Sequence, residues 1–214
     1  MNRRTLLLTV GVAAPVGAAL GWGASEFVLG RRSPAPAPRS PFGQTIGTPF
    51  TLTDHAGRRV TDRDYAGTVR VVFFGFTHCP DVCPTAMNYI TEAFEQLDTA
   101  EAGRVRGLLI SVDAERDTPS VMRDYVANFH PAMVGLSGSQ QDVDGAVRAF
   151  GSYARRVPTE GGGYTMDHTA LIYLLDGEGR LRGFLDNHEP IATAVAKLRL
   201  ALHGPAGAAA GSTS

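Results

Sequence analysis

The junction between one buried strand and the helix after it narrows the fold more than any other feature of the chain. Val69-Arg70-Val71-Val72-Phe73-Phe74-Gly75-Phe76 is β-branched, aromatic and nearly all apolar, as a central strand covered on both faces must be. Cys79-Pro80-Asp81-Val82-Cys83-Pro84 follows it directly, and from Thr85 onward Met87, Ile90, Phe94 and Leu97 recur at helical spacing. A buried strand passing through a turn into an amphipathic helix is the unit of an open α/β sheet. Such sheets place their sites at that turn, outside the strand's carboxyl end.

The remaining pattern extends this unit into a domain. A short hairpin opens it, with Thr48 to Leu52 and Arg58-Arg59-Val60 flanking an Asp54-His55-Ala56-Gly57 turn. Val105 to Val112 reads as a second buried strand. Thr118 is placed to cap a helix with Pro119 at its first position, running to about Phe129. Val134 to Leu136 reads as a strand, Ser139 to Phe150 as a helix and Tyr153 to Val157 as extended chain. Leu171 to Leu175 then turns through Asp176-Gly177-Glu178-Gly179 into Leu181-Arg182-Gly183-Phe184, and Pro190 to Leu202 is the last helix. Strands alternating with helices and ending in a hairpin and a helix predict a three-layer α/β fold of thioredoxin type, with no internal repeat.

The N-terminus has a different character. Arg3 and Arg4 precede an uncharged run from Thr5 to Ser25, and Glu26, Arg31 and Arg32 follow it. Such a run is long enough to cross roughly 30 Å of hydrocarbon as a helix. Two readings stay open, a retained transmembrane anchor and a cleaved signal with Gly23 and Ser25 near its end. Arg3-Arg4 also resembles a twin-arginine export signal. Either way the folded part is exported, with the short basic N-terminus left in the cytoplasm. We therefore expect a signal or anchor helix over 1–30, a Pro-rich linker over 31–45, a thioredoxin-like domain over 46–203 and a disordered tail over 204–214. Among 214 residues, Lys+Arg 20 against Asp+Glu 21 gives a net charge of -1, with no basic cluster beyond the N-terminal segment. That balance offers no footprint for phosphate backbones, so nucleic acid is not an expected partner.

The chain has only two cysteines, and both lie in the turn. Pro80 biases Cys79 away from helical geometry, while Pro84 suits the first helical position and leaves Cys83 as a cap-like residue. Both sulfurs are then expected to feel the positive end of the helix, which favours thiolate. A purely stabilising disulfide would close a loop too small to constrain the unfolded chain much. Redox and metal chemistry remain, and three residues between the cysteines, instead of the two of thioredoxin-type pairs, favour metal.

A third donor is sought in the loop entering the strand that begins the closing hairpin, which in thioredoxin-like folds faces the cysteine turn. In redox members that loop carries a cis-proline. Here it is Gly163-Tyr164-Thr165-Met166-Asp167-His168, with no proline and one histidine. Two thiolates and an imidazole suit three-coordinate Cu(I) and can also hold Cu(II). Zinc accepts the same donors but normally takes a fourth, and none is evident. Asp167 is read either as a partner orienting the imidazole or as a solvated turn residue. His78 is expected to serve packing or tuning, and His55, His130, His188 and His203 to be exposed at turns or helix ends. Met87 is assigned to the core, while Met166 is left open. Asp113 either supports the cysteine loop or begins a turn.

Phe74-Gly75-Phe76-Thr77-His78-Cys79-Pro80-Asp81-Val82-Cys83-Pro84 resembles the signature of the Sco/SenC family of copper chaperones. Ser111-Val112-Asp113, Glu115-Arg116-Asp117-Thr118-Pro119, and Tyr164 with Asp167-His168-Thr169 resemble its later motifs in the same order. The likeness extends from about Phe50 to Leu202, with Ala114 departing where the family often has proline. It implies copper held by Cys79, Cys83 and His168, and delivery toward the dinuclear copper site of cytochrome c oxidase from behind a membrane anchor. The expected partners are the oxidase subunit carrying that site, other copper chaperones and a thioredoxin-like thiol reductant. The expected location is the bacterial inner membrane, with the domain facing the periplasm or cell exterior. The chain is expected to be a metallochaperone without catalytic residues. A thiol-disulfide oxidoreductase is the alternative, because the family also includes members proposed to act as reductases. A thiol peroxidase needs Thr or Ser three residues before its nucleophile, where Phe76 and Pro80 stand.

Overall fold

In the computed structural model, which describes residues 42–204, every residue of β3 (Val69–Gly75) is buried. The strand has a neighbour on each edge, running parallel to β4 (Val105–Ser111) and antiparallel to β8 (Ile172–Leu175). Side chains alternate across it. Gly75 faces Cys83 of the following helix, whereas Phe74 meets Phe150 and Tyr173 edge-on at the opposite face. With β1 (Thr51–Asp54), β2 (Arg59–Thr61), β5 (Met133–Ser137) and β9 (Leu181–Leu185) the sheet reaches seven strands, ordered β2-β1-β5-β4-β3-β8-β9. The fold is mixed α/β and dominated by this sheet.

Helix α1 (Val82–Glu95) buries Met87, Ile90 and Phe94 of the predicted stripe together with Cys83, while Leu97, also buried, lies just beyond its end. Each apolar side chain of that size stabilises the fold by roughly 1.5–3 kcal/mol. A short α2 (Thr99–Ala102) follows, and a 3-10 turn (Asp62–Tyr65) precedes β3. Both are too brief to show a period, and the sequence signalled neither. Helix α3 (Pro119–Val126) begins as expected, with Thr118 Oγ1 accepting the Val121 N–H at 3.4 Å, and ends before Phe129. Helix α4 (Gln140–Ala149) is capped by Ser139, and α5 (Ile191–His203) packs on α1.

One expectation is overturned. The segment before β8 is not a loop but a strand, β7 (Tyr164–His168), which pairs antiparallel with β6 (Ala154–Pro158) as a separate two-stranded sheet. No residue of this ribbon is fully buried, so its alternation is too shallow in hydrophobicity to read from sequence. The opening hairpin is also displaced, since β1 starts at Thr51. The expected anchor or signal over 1–30, most of the linker and the tail lie outside the described residues. Among the described residues no helix is long and apolar enough to cross a membrane.

Candidate metal centre

The cysteine turn forms where β3 ends and α1 begins. Cys79 N–H donates to the Phe76 carbonyl at 3.2 Å, closing a turn with Thr77 and His78 at its centre. Asp81 is the N-cap, so Cys83 is the second helical residue and Pro84 the third. That corrects the cap-like position expected for Cys83. Proline is tolerated there because the first-turn N–H groups lack helical partners anyway. One of those free donors, the Cys83 N–H, points at Cys79 Sγ at 3.4 Å. Both cysteines are free thiols, Cys79 half-buried and Cys83 buried.

Gly75 makes room for the inner sulfur. A β-carbon there would lie 3.0 Å from Cys83 Sγ and 3.2 Å from Leu109 Cδ1. Burial pushes the Cys83 thiol up, and the adjacent Cys79 sulfur adds to the rise, outweighing the Phe76 backbone bond that lowers it. The helix end therefore does not make Cys83 a ready thiolate, contrary to expectation. An incoming metal must displace its proton.

His168, the last residue of β7, reaches this sulfur from 85 positions along the chain, with Nε2 3.7 Å from Cys83 Sγ. Its Nδ1 lies 3.1 Å from the Thr169 carbonyl, which can only accept. Nδ1 therefore carries the hydrogen, and the Nε2 lone pair faces the thiol. Phe73 and Phe76 set the ring edge-on between them, at centroid distances of 6.0 and 5.9 Å. For metal–sulfur and metal–nitrogen bonds of about 2.3 and 2.0 Å, trigonal geometry separates the donors by about 3.7 Å. The observed spacing suits an ion between them. Among the described residues no three or more His, Cys, Asp or Glu side chains are already closed around a metal position. The structure joins Cys83 with His168 directly, and Cys79 adjoins through the Cys83 N–H.

Asp167 is exposed and pairs with Arg155 at 3.6 Å, so it takes the solvated role, and the Thr169 carbonyl orients the imidazole instead. Met87 is fully buried, as expected, and Met166 packs against the core. His188 and His203 are exposed, while His55 and His130 are half-buried. His78 is exposed, which corrects the packing half of its expected role.

Asp113 begins a turn, the second of its two expected roles, with its carbonyl accepting the Asp117 N–H at 3.0 Å and its Oδ1 the Arg116 N–H at 3.4 Å. Its carboxylate accepts from Arg116 Nε and, at 2.9 Å, from the Tyr164 hydroxyl, fastening β7 to the end of β4. The Tyr164 ring lies between the Arg116 and Arg156 guanidinium carbons at 3.9 and 3.8 Å. Asp117 supports the cysteine turn instead. Buried, it accepts from Thr77 N–H at 3.0 Å, Thr77 Oγ1 at 2.6 Å and Ser111 Oγ at 2.6 Å. Its place in the Glu115–Pro119 segment was visible in the sequence, but its partners were not.

Comparison with known proteins identifies the family. A family model described as SCO1/SenC matches residues 38–203. A Homo sapiens protein, "Protein SCO1 homolog, mitochondrial", is 41% identical over 143 residues, covering 66% of this chain and 46% of its own length. The chain thus spans about half the length of the curated relatives it matches. Among solved structures, Bradyrhizobium japonicum ScoI with copper bound is 44% identical with a TM-score of 0.68, covering 72% of this chain and 98% of that one. Yeast Sco1 with copper bound is 29% identical with a TM-score of 0.69, covering 77% and 92%.

Proposed function

Because the chain belongs to the SCO1/SenC family, we propose that it binds a single copper ion through Cys79, Cys83 and His168 and delivers it during assembly of cytochrome c oxidase. The observation that carries this reading is the 3.7 Å approach of His168 Nε2 to Cys83 Sγ, with the imidazole tautomer fixed by Thr169. Two soft sulfurs and one nitrogen suit Cu(I) better than zinc, which would want a fourth donor. Solved relatives carrying copper, at 44% and 29% identity, support the metal.

Copper is the cargo. It enters as the two thiols lose their protons and leaves by ligand exchange to a recipient's thiolates and imidazoles. A disulfide between Cys79 and Cys83 would accept no metal until reduced. The partners of this reading are the oxidase's copper-site subunit, an upstream copper chaperone and a thioredoxin-like reductant. We read the fold as a three-layer thioredoxin-like domain over 46–203. A transmembrane or signal helix over 1–30 directs it, behind a stiff linker over 31–45, to the outer face of a bacterial inner membrane, with 204–214 as a tail.

The test is metal content and copper X-ray absorption of the reduced full chain, wild type beside His168→Ala, Cys79→Ser and Cys83→Ser. We expect a mixed sulfur and nitrogen shell in the wild type and strong loss of copper in each variant. Copper retained unchanged in His168→Ala would overturn the assignment. A second reading as a thiol-disulfide oxidoreductase is favoured by one feature, an accessible Cys79 beside a buried Cys83, as an attacking and resolving pair require. Reductase activity surviving His168→Ala would support it.

A further inference from the structure

His78 is the residue beside the thiols that the resident copper set leaves unused. It occupies the centre of the Phe76–Cys79 turn with 53% of its side chain exposed. Its ring is nevertheless held in place by a hydrogen bond at Nδ1. Buried Asp117 takes the Thr77 hydroxyl hydrogen at 2.6 Å, and Thr77 Oγ1 lies 3.1 Å from His78 Nδ1. A hydroxyl has one hydrogen to give, and here it goes to the carboxylate. Toward the imidazole Thr77 Oγ1 must accept, so Nδ1 carries the hydrogen. Asp117 Oδ1, 4.0 Å from the same nitrogen, reinforces that tautomer. The Nε2 lone pair of the neutral ring is left without a hydrogen-bond partner among the described residues.

The two imidazoles beside the thiols are thus prepared alike. His168 has Nδ1 on the Thr169 carbonyl and presents Nε2 to buried Cys83. His78 has Nδ1 on Thr77 and its Nε2 free, next in sequence to the half-exposed Cys79. A metal-binding histidine is usually oriented by a hydrogen bond at its other nitrogen.

We propose that His78 is the outer ligand of copper hand-off: copper held at rest by Cys79, Cys83 and His168 passes through a state bound by Cys79 and His78 before an acceptor's donors take it. This rests on the copper-binding reading above. In the exchange the bonds to Cys83 Sγ and His168 Nε2 break, and a bond to His78 Nε2 forms. The released Cys83 thiolate takes a proton from water, and copper stays Cu(I) with no electron transferred. The acceptor is then any protein presenting exposed cysteine and histidine donors to the turn.

The full chain loaded with Cu(I) is mixed with a synthetic peptide carrying two cysteines and a histidine, and transfer is followed in time. Resident affinity is measured separately by competition with bicinchoninate. We expect His78→Gln to keep its copper at wild-type affinity but to transfer about tenfold more slowly, the scale on which losing one ligand or its orienting partner perturbs a metal site. Thr77→Val should slow transfer in the same direction, with Thr77→Ser restoring it. Transfer by His78→Gln at the wild-type rate overturns the proposal. So does loss of resident copper in His78→Gln, which would make His78 a resting ligand. Copper retention in His168→Ala would instead remove the resident site itself, whatever His78→Gln does.

Discussion

Gly75 sets how closely the helix mouth can approach the sheet. An alanine there places its β-carbon 3.0 Å from both Cys83 Sγ and a Phe73 ring carbon, so the sulfur must give by a few tenths of an ångström. Overpacking of this kind costs about 1–3 kcal/mol. We expect Gly75→Ala to remain folded, with a lower urea midpoint and copper affinity reduced about tenfold or more, as when a ligand's support is disturbed. Chelator competition checks it, and unchanged affinity would mean that the sulfur position is not set from this side. The proposed ligands were legible in the sequence, because Cys79, Cys83 and His168 are chemically distinctive and lie at recognisable points of the fold. Gly75 and Asp117 were not legible as supports. A missing side chain gives no signal, and Asp117 reaches Thr77 across 40 positions of chain.

Two elements of the sheet are closed by the same five-residue device. In Asp54–Arg58 and Asp176–Arg180 the aspartate Oδ1 accepts two backbone N–H groups and Oδ2 accepts the arginine Nε at 2.8 and 2.9 Å. The glycine sits at φ +83 in the first turn and +81 in the second. Alanine at either costs roughly 1–2 kcal/mol for the left-handed backbone alone. A β-carbon at Gly57 meets open space, whereas one at Gly179 lies 2.9 Å from Nη2 of buried Arg70. Gly179→Ala should therefore lower the urea midpoint more than Gly57→Ala, and equal losses would contradict this. The same turns give an acid dependence. Burial pushes the Asp54 and Asp176 carboxyls up, but the backbone donors and arginines outweigh it and hold both below the usual carboxylate value. A depressed folded pKa stabilises above the unfolded value of about 3.9, and the gain is lost as pH falls through the folded value. Asp54→Asn should therefore lose stability relative to wild type at about pH 6, with the gap narrowing at about pH 3. A gap equal at both would refute the linkage. Sequence reasoning found both turns from their Asp and Gly and found the strands and long helices from period. It missed β7, whose half-exposed residues vary too little in polarity to show a period.

At the scale of the molecule, the proposed metal ligands belong to two bodies of structure. Cys79 and Cys83 stand at the end of the seven-stranded sheet, while His168 ends a strand of the β6–β7 ribbon, which shares no ladder with that sheet. A two-stranded ribbon is marginal by itself in water. This one is tied to the rest of the domain by Arg116 Nη1 to the Tyr164 carbonyl at 3.2 Å and by the Tyr164 hydroxyl to Asp113, while Thr169 N–H to the Tyr153 carbonyl at 3.0 Å extends its own pairing. Copper bound by both bodies would add a cross-link between them. Ligand at 100 times its dissociation constant stabilises the native state by about 2.7 kcal/mol, and that gain should appear where the link is made. Native-state hydrogen exchange should show Tyr164–His168 opening more readily than β3 in the copper-free chain. Cu(I) should slow exchange in the ribbon and leave the most protected β3 amides unchanged. Tyr164→Phe, losing the bond to Asp113, should speed ribbon exchange without copper, and His168→Ala should abolish the copper effect. Equal slowing in β3 and β7 would mean that the ribbon opens only with the whole domain, and copper would then stabilise the fold without joining its parts.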